Sequence, residues 1–238
     1  MNRSPDKPAS GSPLVDAPVL RTIVRLAVPG VLGAMIQTSL IAIEAWFLSR
    51  SGTIALAAVA TVFPFIMLAN MLSAGAIGGA TSGAIARALG ASDFARAQSS
   101  LRSAVVIALA GGLIMGALVI LAGPVFFHWL GARDSVLAAA IRFASIVFAG
   151  APLLWLFNML GSVLRGAGAM VSSALAMASV VLAYACFAAW LIPTATQQPD
   201  VIRTMEAAAS ALLLAYSVGL VAVLALILQR TQPVRLKF

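Results

Sequence analysis

The chain has 238 residues, of which 62% are hydrophobic and 9% charged, and its mean hydropathy is +1.05. Soluble domains are about 45–50% apolar and about 25% charged, so this composition excludes a compact soluble enzyme. The single cysteine, Cys186, excludes an intrachain disulfide framework. The net charge of +8 comes from basic residues between apolar segments and in the tails, without the aromatic interleaving that would suggest nucleic-acid binding.

Apolar segments long enough to cross a membrane follow a polar start. Residues 1–20 are rich in Pro, Ser, Asp and Lys, which predicts a disordered cytoplasmic tail. A bilayer core about 30 Å thick requires roughly 20 apolar helical residues. Six segments meet this requirement: 22–48, 54–84, 99–125, 136–163, 170–192 and 207–229. We therefore predict an all-α, six-helix transmembrane lobe over residues 21–230, followed by a short basic cytoplasmic tail at 231–238.

Basic residues are distributed unevenly between the two sides of the predicted bundle. With the amino terminus in the cytoplasm, eleven Lys and Arg lie on the cytoplasmic side and four on the other. An excess of Lys and Arg marks cytoplasmic loops, so both termini are predicted to be cytoplasmic, in the bacterial inner (plasma) membrane. Arg165, between spans 4 and 5, is interpreted as one of the basic anchors of this orientation.

Small residues and prolines inside the spans indicate how the helices pack and bend. Glycines recur every four residues at two places: Gly75, Gly79 and Gly83 in span 2, and Gly112 and Gly116 in span 3. This spacing lets helix backbones approach closely in lipid, and the triple repeat of span 2 predicts a packing face. The alternative is that glycine is simply common in membrane helices. Prolines inside spans can bend a helix and free a backbone carbonyl; they are Pro29, Pro64 and Pro152.

Glu44 is the only acidic residue inside a predicted span, because the other six lie in tails or loops. An ionisable group at that depth costs roughly 2–3 kcal/mol or more, and such residues typically face a cavity or the bundle interior. Glu44 is therefore the candidate proton-coupling residue. The alternative is that Glu44 lies near the outer interface and simply reaches water.

Three amide side chains are candidate substrate-cavity residues. Gln37 lies seven residues before Glu44, so both are predicted to share one face of span 1. Asn70 in span 2 and Asn158 in span 4 are candidates to join them, with an interhelical hydrogen bond as the alternative role for each amide. Neither paired carboxylates, a phosphate-binding loop nor a His/Cys cluster is found, so no enzyme activity, cofactor or metal is predicted.

Several short segments together point to a known family. They are LAVP at 26–29, EAWFLSRSG at 44–52, AIARALGASD at 84–93, LGA at 130–132 and LRGAG at 164–168. In this order and spacing they resemble segments of the multidrug and toxic compound extrusion (MATE) transporters. The resemblance covers residues 20–230 and corresponds to one six-helix lobe, whereas family members normally have two lobes facing each other across a central cavity.

The resemblance implies cation-coupled export of small amphipathic or cationic compounds by alternating access. The family's acidic residue in helix 1, which takes part in cation coupling, corresponds to Glu44, where Asp is usual. Some members also have an amide and an acid in helix 5, and residues 180–189 contain neither. This difference favours a proton over a sodium ion as the coupling ion.

A single lobe leaves the assembly open, because transporter sites form at the interface between repeats. The chain is expected to pair with a copy of itself, as a homodimer, or with a second six-helix lobe. The alternative is a truncated or non-transporting membrane interaction subunit that needs a second lobe. The other predicted partners are the small-molecule substrate, the proton and the lipid bilayer, without nucleic acid.

Overall fold

The computed structural model describes residues 19–192 and 200–228. These ranges contain α-helices and one π-helical segment, Met71–Ile77, and no strand. The helices are α1 (Val19–Ser49), α2 (Thr53–Asn70), α3 (Gly78–Gly90), α4 (Phe94–Trp129), α5 (Asp134–Ala149), α6 (Ala151–Gly166), α7 (Met170–Leu191) and α8 (Val201–Leu228). Of the predicted tails, residues 1–18 and 231–238 lie outside the described residues.

The predicted all-α architecture with six spans is confirmed. Five continuous segments are long and apolar enough to cross a membrane: Gly30–Ser49, Thr53–Gly90, Phe94–Trp129, Met170–Leu191 and Val201–Leu228. The sixth span is the pair formed by α5 and α6, which passes the same test when the two helices are taken together. The second segment contains α2, the π-helical segment and α3 in direct succession.

The fourth span is broken, whereas the sequence predicted one continuous helix over 136–163. Helix α5 ends at Ala149 and α6 begins at Ala151, with a bend of 53° between them. Pro152 lies in the first turn of α6, where its missing N–H leaves no intrahelical hydrogen bond unmade. Helical hydrogen bonding begins again at Gly150, whose carbonyl accepts from the N–H groups of Leu153 and Leu154. Pro64, in contrast, lies inside α2 without ending it.

The glycine repeat of span 2 does not form the predicted packing face. A Cβ atom added at Gly75 or Gly79 would meet nothing within 4 Å. The buried glycine is Gly78, where a Cβ atom would lie 2.5 Å from Ser162 Oγ in α6. The π-helical segment ends just before Gly78, and its i→i+5 hydrogen bonds break the four-residue register on which the prediction depended.

The glycine pair of span 3, in contrast, does pack against another part of the lobe. A Cβ atom at Gly112 would lie 2.5 Å from the Cα atom of Pro152, and one at Gly116 would meet the carbonyl oxygen of Phe148. Both glycines are buried in α4, while Leu113 and Leu121 of the same helix are exposed. One face of α4 therefore lies directly against the break between α5 and α6.

Helix α6 occupies the centre of the lobe and positions the polar residues described below. Most of its residues from Phe157 to Leu164 are fully buried. It contacts α3, α4, α7, α8 and the π-helical segment, while α1 lies mainly against α7. Because α1 packs along α7 rather than along α6, a gap remains between α1 and α6 near the C-terminal end of α6.

Substitution Gly112→Ala is expected to lower the unfolding temperature, because the new methyl group must displace the backbone at Pro152. Overpacking of a tight contact costs about 1–3 kcal/mol. Gly79→Ala is the matched control, since it places the same methyl group in open space in another helix. Thermal unfolding of the purified variants in detergent measures the difference. Equal unfolding temperatures would show that the contact between α4 and Pro152 does not limit stability.

Candidate functional site

Asn158 is the centre of a buried polar cluster that joins three elements. Its side-chain Nδ2 donates to Asn70 Oδ1 at 3.0 Å and to Ser73 Oγ at 2.9 Å. Asn70 Nδ2 in turn donates to the carbonyl of Ile66 at 3.1 Å, and Ser73 Oγ donates to the carbonyl of Ala69 at 2.7 Å. Asn70 and Asn158 therefore form an interhelical hydrogen bond with each other. This is the role that the sequence analysis gave as the alternative to substrate binding.

A cavity of about 340 Å³ lies beside this cluster, between α1, α6, α7 and the π-helical segment. Gln37 and Asn158 both line it, so the structure brings these two predicted residues together. Asn70 does not line it, but lies on a separate void of about 10 Å³ that Asn158 also borders. Asn158 thus separates a ligand-sized cavity from a void with room for about one water.

Arg165 is a cavity residue that the sequence analysis treated only as an anchor. It lines the 340 Å³ cavity at the end of α6. Its Nη2 donates to Ser162 Oγ at 2.7 Å and its Nη1 to Ser173 Oγ at 3.2 Å. Ser173 lies eight residues further along the chain and lines the same cavity. Sequence alone places Arg165 at a span end but carries no signal for the gap between α1 and α6.

Glu44 does not line the cavity, although it lies two turns beyond Gln37 on α1. Glu44 acts electrostatically on the hydroxyls of Tyr184 in α7 and Tyr216 in α8, so it lies near both of these helices. Glu44 Oε1 is buried and has no hydrogen-bond partner, and the same holds for the Tyr184 hydroxyl. Gln37 and Glu44, which were predicted to share one face of span 1, therefore lie in two different environments.

Tyr184 and Tyr216 were missed by the sequence analysis, although a signal for them exists. They are the only two tyrosines of the chain, and both lie inside apolar spans, where a hydroxyl requires a polar partner. Tyr216 also packs edge-on against Phe157, with ring centroids 5.3 Å apart. Since Phe157 lines the cavity, one aromatic contact separates the surroundings of Glu44 from the cavity.

Metal-binding and ionic groups are sparse across the part of the chain that the structure describes. No group of three His, Cys, Asp or Glu residues that could hold a metal ion is found there. Two ion pairs of these residues join Arg142 to Glu206 and Arg203 to Asp200. Neither pair includes Glu44 or Arg165, so each of these two charged groups faces its surroundings without an ionic partner in the described residues.

Two named proteins are similar to this chain in sequence. The FAD transporter of Shewanella oneidensis is 27% identical over 168 residues, which cover 69% of this chain and 36% of that protein. The multidrug export protein MepA of Staphylococcus saprophyticus is 30% identical over 171 residues, covering 69% of this chain and 37% of the relative. The chain thus spans just over a third of the length of these curated relatives.

Solved transporter structures are similar over nearly the whole chain. A MOP superfamily transporter from Pyrococcus furiosus superposes with a TM-score of 0.81 at 27% identity, covering 98% of this chain and 50% of that one. The outward-facing conformation of a multidrug resistance MATE family transporter gives the same TM-score, identity and coverage. The chain therefore has the fold of one half of these transporters and is an integral, multi-pass membrane protein.

The family model described as MatE matches residues 29–190. This match includes all of the described cavity-lining residues as well as Glu44 and Tyr184. The resemblance stated from the short sequence segments is confirmed: the chain belongs to the MatE family of membrane transporters.

Proposed function

We propose that this chain takes part in proton-coupled antiport that exports small amphipathic or cationic compounds. Glu44 is the proton-coupling residue in this proposal. Gln37 and Asn158 are the substrate-cavity residues, and Asn70 positions Asn158 through their hydrogen bond. Membership of a transporter family supports export in general. The observation that carries the finer proposal is the buried carboxyl oxygen of Glu44, Oε1, which has no hydrogen-bond partner although the residue lies inside a membrane span.

The surroundings of Glu44 support a proton rather than a metal ion as the coupling species. A buried carboxylate without a counter-ion is unfavourable, so gain or loss of a proton there changes the stability of the packing of α1 against α7 and α8. The neighbouring polar groups are the hydroxyls of Tyr184 and Tyr216. Two hydroxyls can donate to or accept from a carboxyl, whereas a sodium site requires several oxygen ligands that converge on the ion.

The contact of Tyr216 with Phe157 supports coupling between the proton and the cargo. Glu44 acts on Tyr216 electrostatically, Tyr216 packs against Phe157, and Phe157 lines the cavity beside Asn158. A rearrangement at Glu44 can therefore reach the cavity wall through one edge-to-face pair of rings. These interactions offer one physical connection between the two sites.

The other half of the transport cavity comes, in this proposal, from a second six-helix lobe, either another copy of the chain or a separate lobe. The chain covers half of each solved transporter noted above, and transporter sites form between repeats. We place both termini in the cytoplasm and the lobe in the bacterial inner membrane. The alternative function is a truncated or non-transporting interaction subunit that needs such a lobe.

Substitution Glu44→Gln is expected to reduce efflux at least tenfold, because the amide keeps the shape of the side chain but exchanges no proton. The measurement is efflux of two fluorescent amphipathic dyes, an organic cation and an organic anion, from pump-deficient cells, with and without an uncoupler. Glu206→Gln is the matched control, since Glu206 forms an exposed ion pair with Arg142 and such pairs contribute little. Equal efflux by wild type and Glu44→Gln would contradict the coupling role. No efflux from a well-inserted wild-type chain would favour the alternative function.

Substitution Tyr184→Phe is expected to raise the unfolding temperature and to reduce efflux several-fold. The change removes a buried hydroxyl without a partner, which costs about 1–3 kcal/mol in the folded state. Opposite effects on stability and activity indicate a polar group kept for function. Thr204→Val removes another unpartnered buried hydroxyl, 12 residues before Tyr216 on α8, and should stabilise without loss of efflux. Full efflux by Tyr184→Phe would contradict a role for this hydroxyl beside Glu44.

Substitution Gln37→Leu is expected to raise the KM for the exported compound several-fold with a smaller change in maximal rate. Gln37 contributes a polar group to the cavity wall, and an apolar replacement of similar size removes its hydrogen bonds to cargo. Thr38→Val is the control, because Thr38 bonds to the carbonyl of Ala34 and does not line this cavity. Efflux measured over a range of dye concentrations separates the two parameters. An unchanged KM would exclude Gln37 from cargo binding.

A further inference from the structure

The cavity between α1, α6 and α7 has a positive charge at one end. Of the described residues that line it, Arg165 is the only charged one. The hydrogen-bond acceptors of its guanidinium are the hydroxyls of Ser162 and Ser173, and both are neutral. The ion pairs among the described residues involve other arginines. The charge of Arg165 therefore faces the cavity without an acidic partner there.

Two serine hydroxyls orient the guanidinium of Arg165, which is exposed at the end of α6. Ser162 Oγ donates to the carbonyl of Asn158 at 2.9 Å, which orients its lone pairs towards Arg165 Nη2. Ser173 Oγ holds Nη1 from the opposite helix, α7. A guanidinium has five N–H donors in a rigid fork that matches the geometry of carboxylate and phosphate groups. The remaining donors are thus available at a prepositioned site for an anion.

The rest of the cavity wall is mainly apolar. Phe157, Met170 and Met177 line it, and Gly30 and Gly33 on α1 leave space where side chains would narrow it. Its volume of about 340 Å³ falls at the lower end of the range for small-molecule sites, about 300–1,000 Å³. An apolar pocket with one cationic end fits a molecule that has an apolar body and one anionic group.

We infer that this cavity binds an amphipathic anion, whose carboxylate or phosphate lies against Arg165 and Ser173 and whose apolar part packs against Phe157 and Met177. This inference rests on the proposed export function and narrows its cargo. Charge-assisted hydrogen bonds favour the anion, while an uncompensated positive charge in a membrane cavity repels an organic cation. A soluble amphipathic anion and an anionic lipid headgroup share this chemistry.

Binding of radiolabelled decanoate to the full chain in phosphatidylcholine nanodiscs tests the inference. Equilibrium dialysis against empty nanodiscs corrects for partition into lipid. We expect saturable binding by wild type, displaced by decyl phosphate but not by decyltrimethylammonium, which has the same chain and the opposite charge. Arg165→Gln should weaken binding at least tenfold, and Arg165→Lys should retain more of it. Arg87→Gln is the matched control, because Arg87 lies near the end of α3 and does not line the cavity.

The lipid source is tested by replacing one third of the phosphatidylcholine with phosphatidylglycerol. Loss of decanoate binding would support the anion site with a lipid headgroup as its occupant, and unchanged binding would support it with a soluble anion. Equal binding by Arg165→Gln and wild type, or equal displacement by decyltrimethylammonium and decyl phosphate, would overturn the inference. The assay uses no proton gradient, so its failure and the failure of coupled efflux are separate results. If Arg165→Gln does not fold, the comparison of decyl phosphate with decyltrimethylammonium on the wild-type chain still tests the inference.

Discussion

The hydrogen bonds of Asn158 are the interaction on which the arrangement of the lobe depends. Lipid offers no partner for a buried amide, so the side chain must be satisfied by other helices. Asn70 Oδ1 and Ser73 Oγ accept both of its N–H groups and thereby fix α6 against the end of α2 and the π-helical segment. The same residue borders the cavity, so the contact that holds the helices also shapes the site.

The two irregular parts of the backbone lie next to α6. The π-helical segment Met71–Ile77 carries Ser73 to Asn158 and supplies Ala74 to the cavity wall. The break at Gly150 lets α6 turn by 53° from α5, and the glycines of α4 pack against that break. Irregular backbone at membrane depth is tolerated where it is buried in protein or lines a cavity. Here one irregularity borders the cavity and the other lies in the packed interior.

The sequence was sufficient for the number of spans and for Glu44 as the buried acid, because both depend on local composition. It was insufficient where neighbouring helices decide the outcome. Glycine spacing in span 2 indicated Gly75 and Gly79, but the π-helical segment turns Gly78 towards Ser162 instead. Arg165 had the signature of an interfacial anchor, and only the separation of α1 from α6 makes it a cavity residue. Helix periodicity describes one face of one helix and carries no information about which gap remains open.

Helix α1 presents its two polar groups to different surroundings, and this separation has a mechanistic consequence. Gln37 faces the cavity with Arg165, while Glu44 faces the two tyrosines of α7 and α8. An acid placed inside the cavity would compensate the charge of Arg165 and remove its preference for an anion. With the acid outside, the proposed cargo and proton would not compete for one group, and the contact of Tyr216 with Phe157 lies between the two sites. Any movement of α1 would affect both environments together, because Gln37 and Glu44 lie on the same helix.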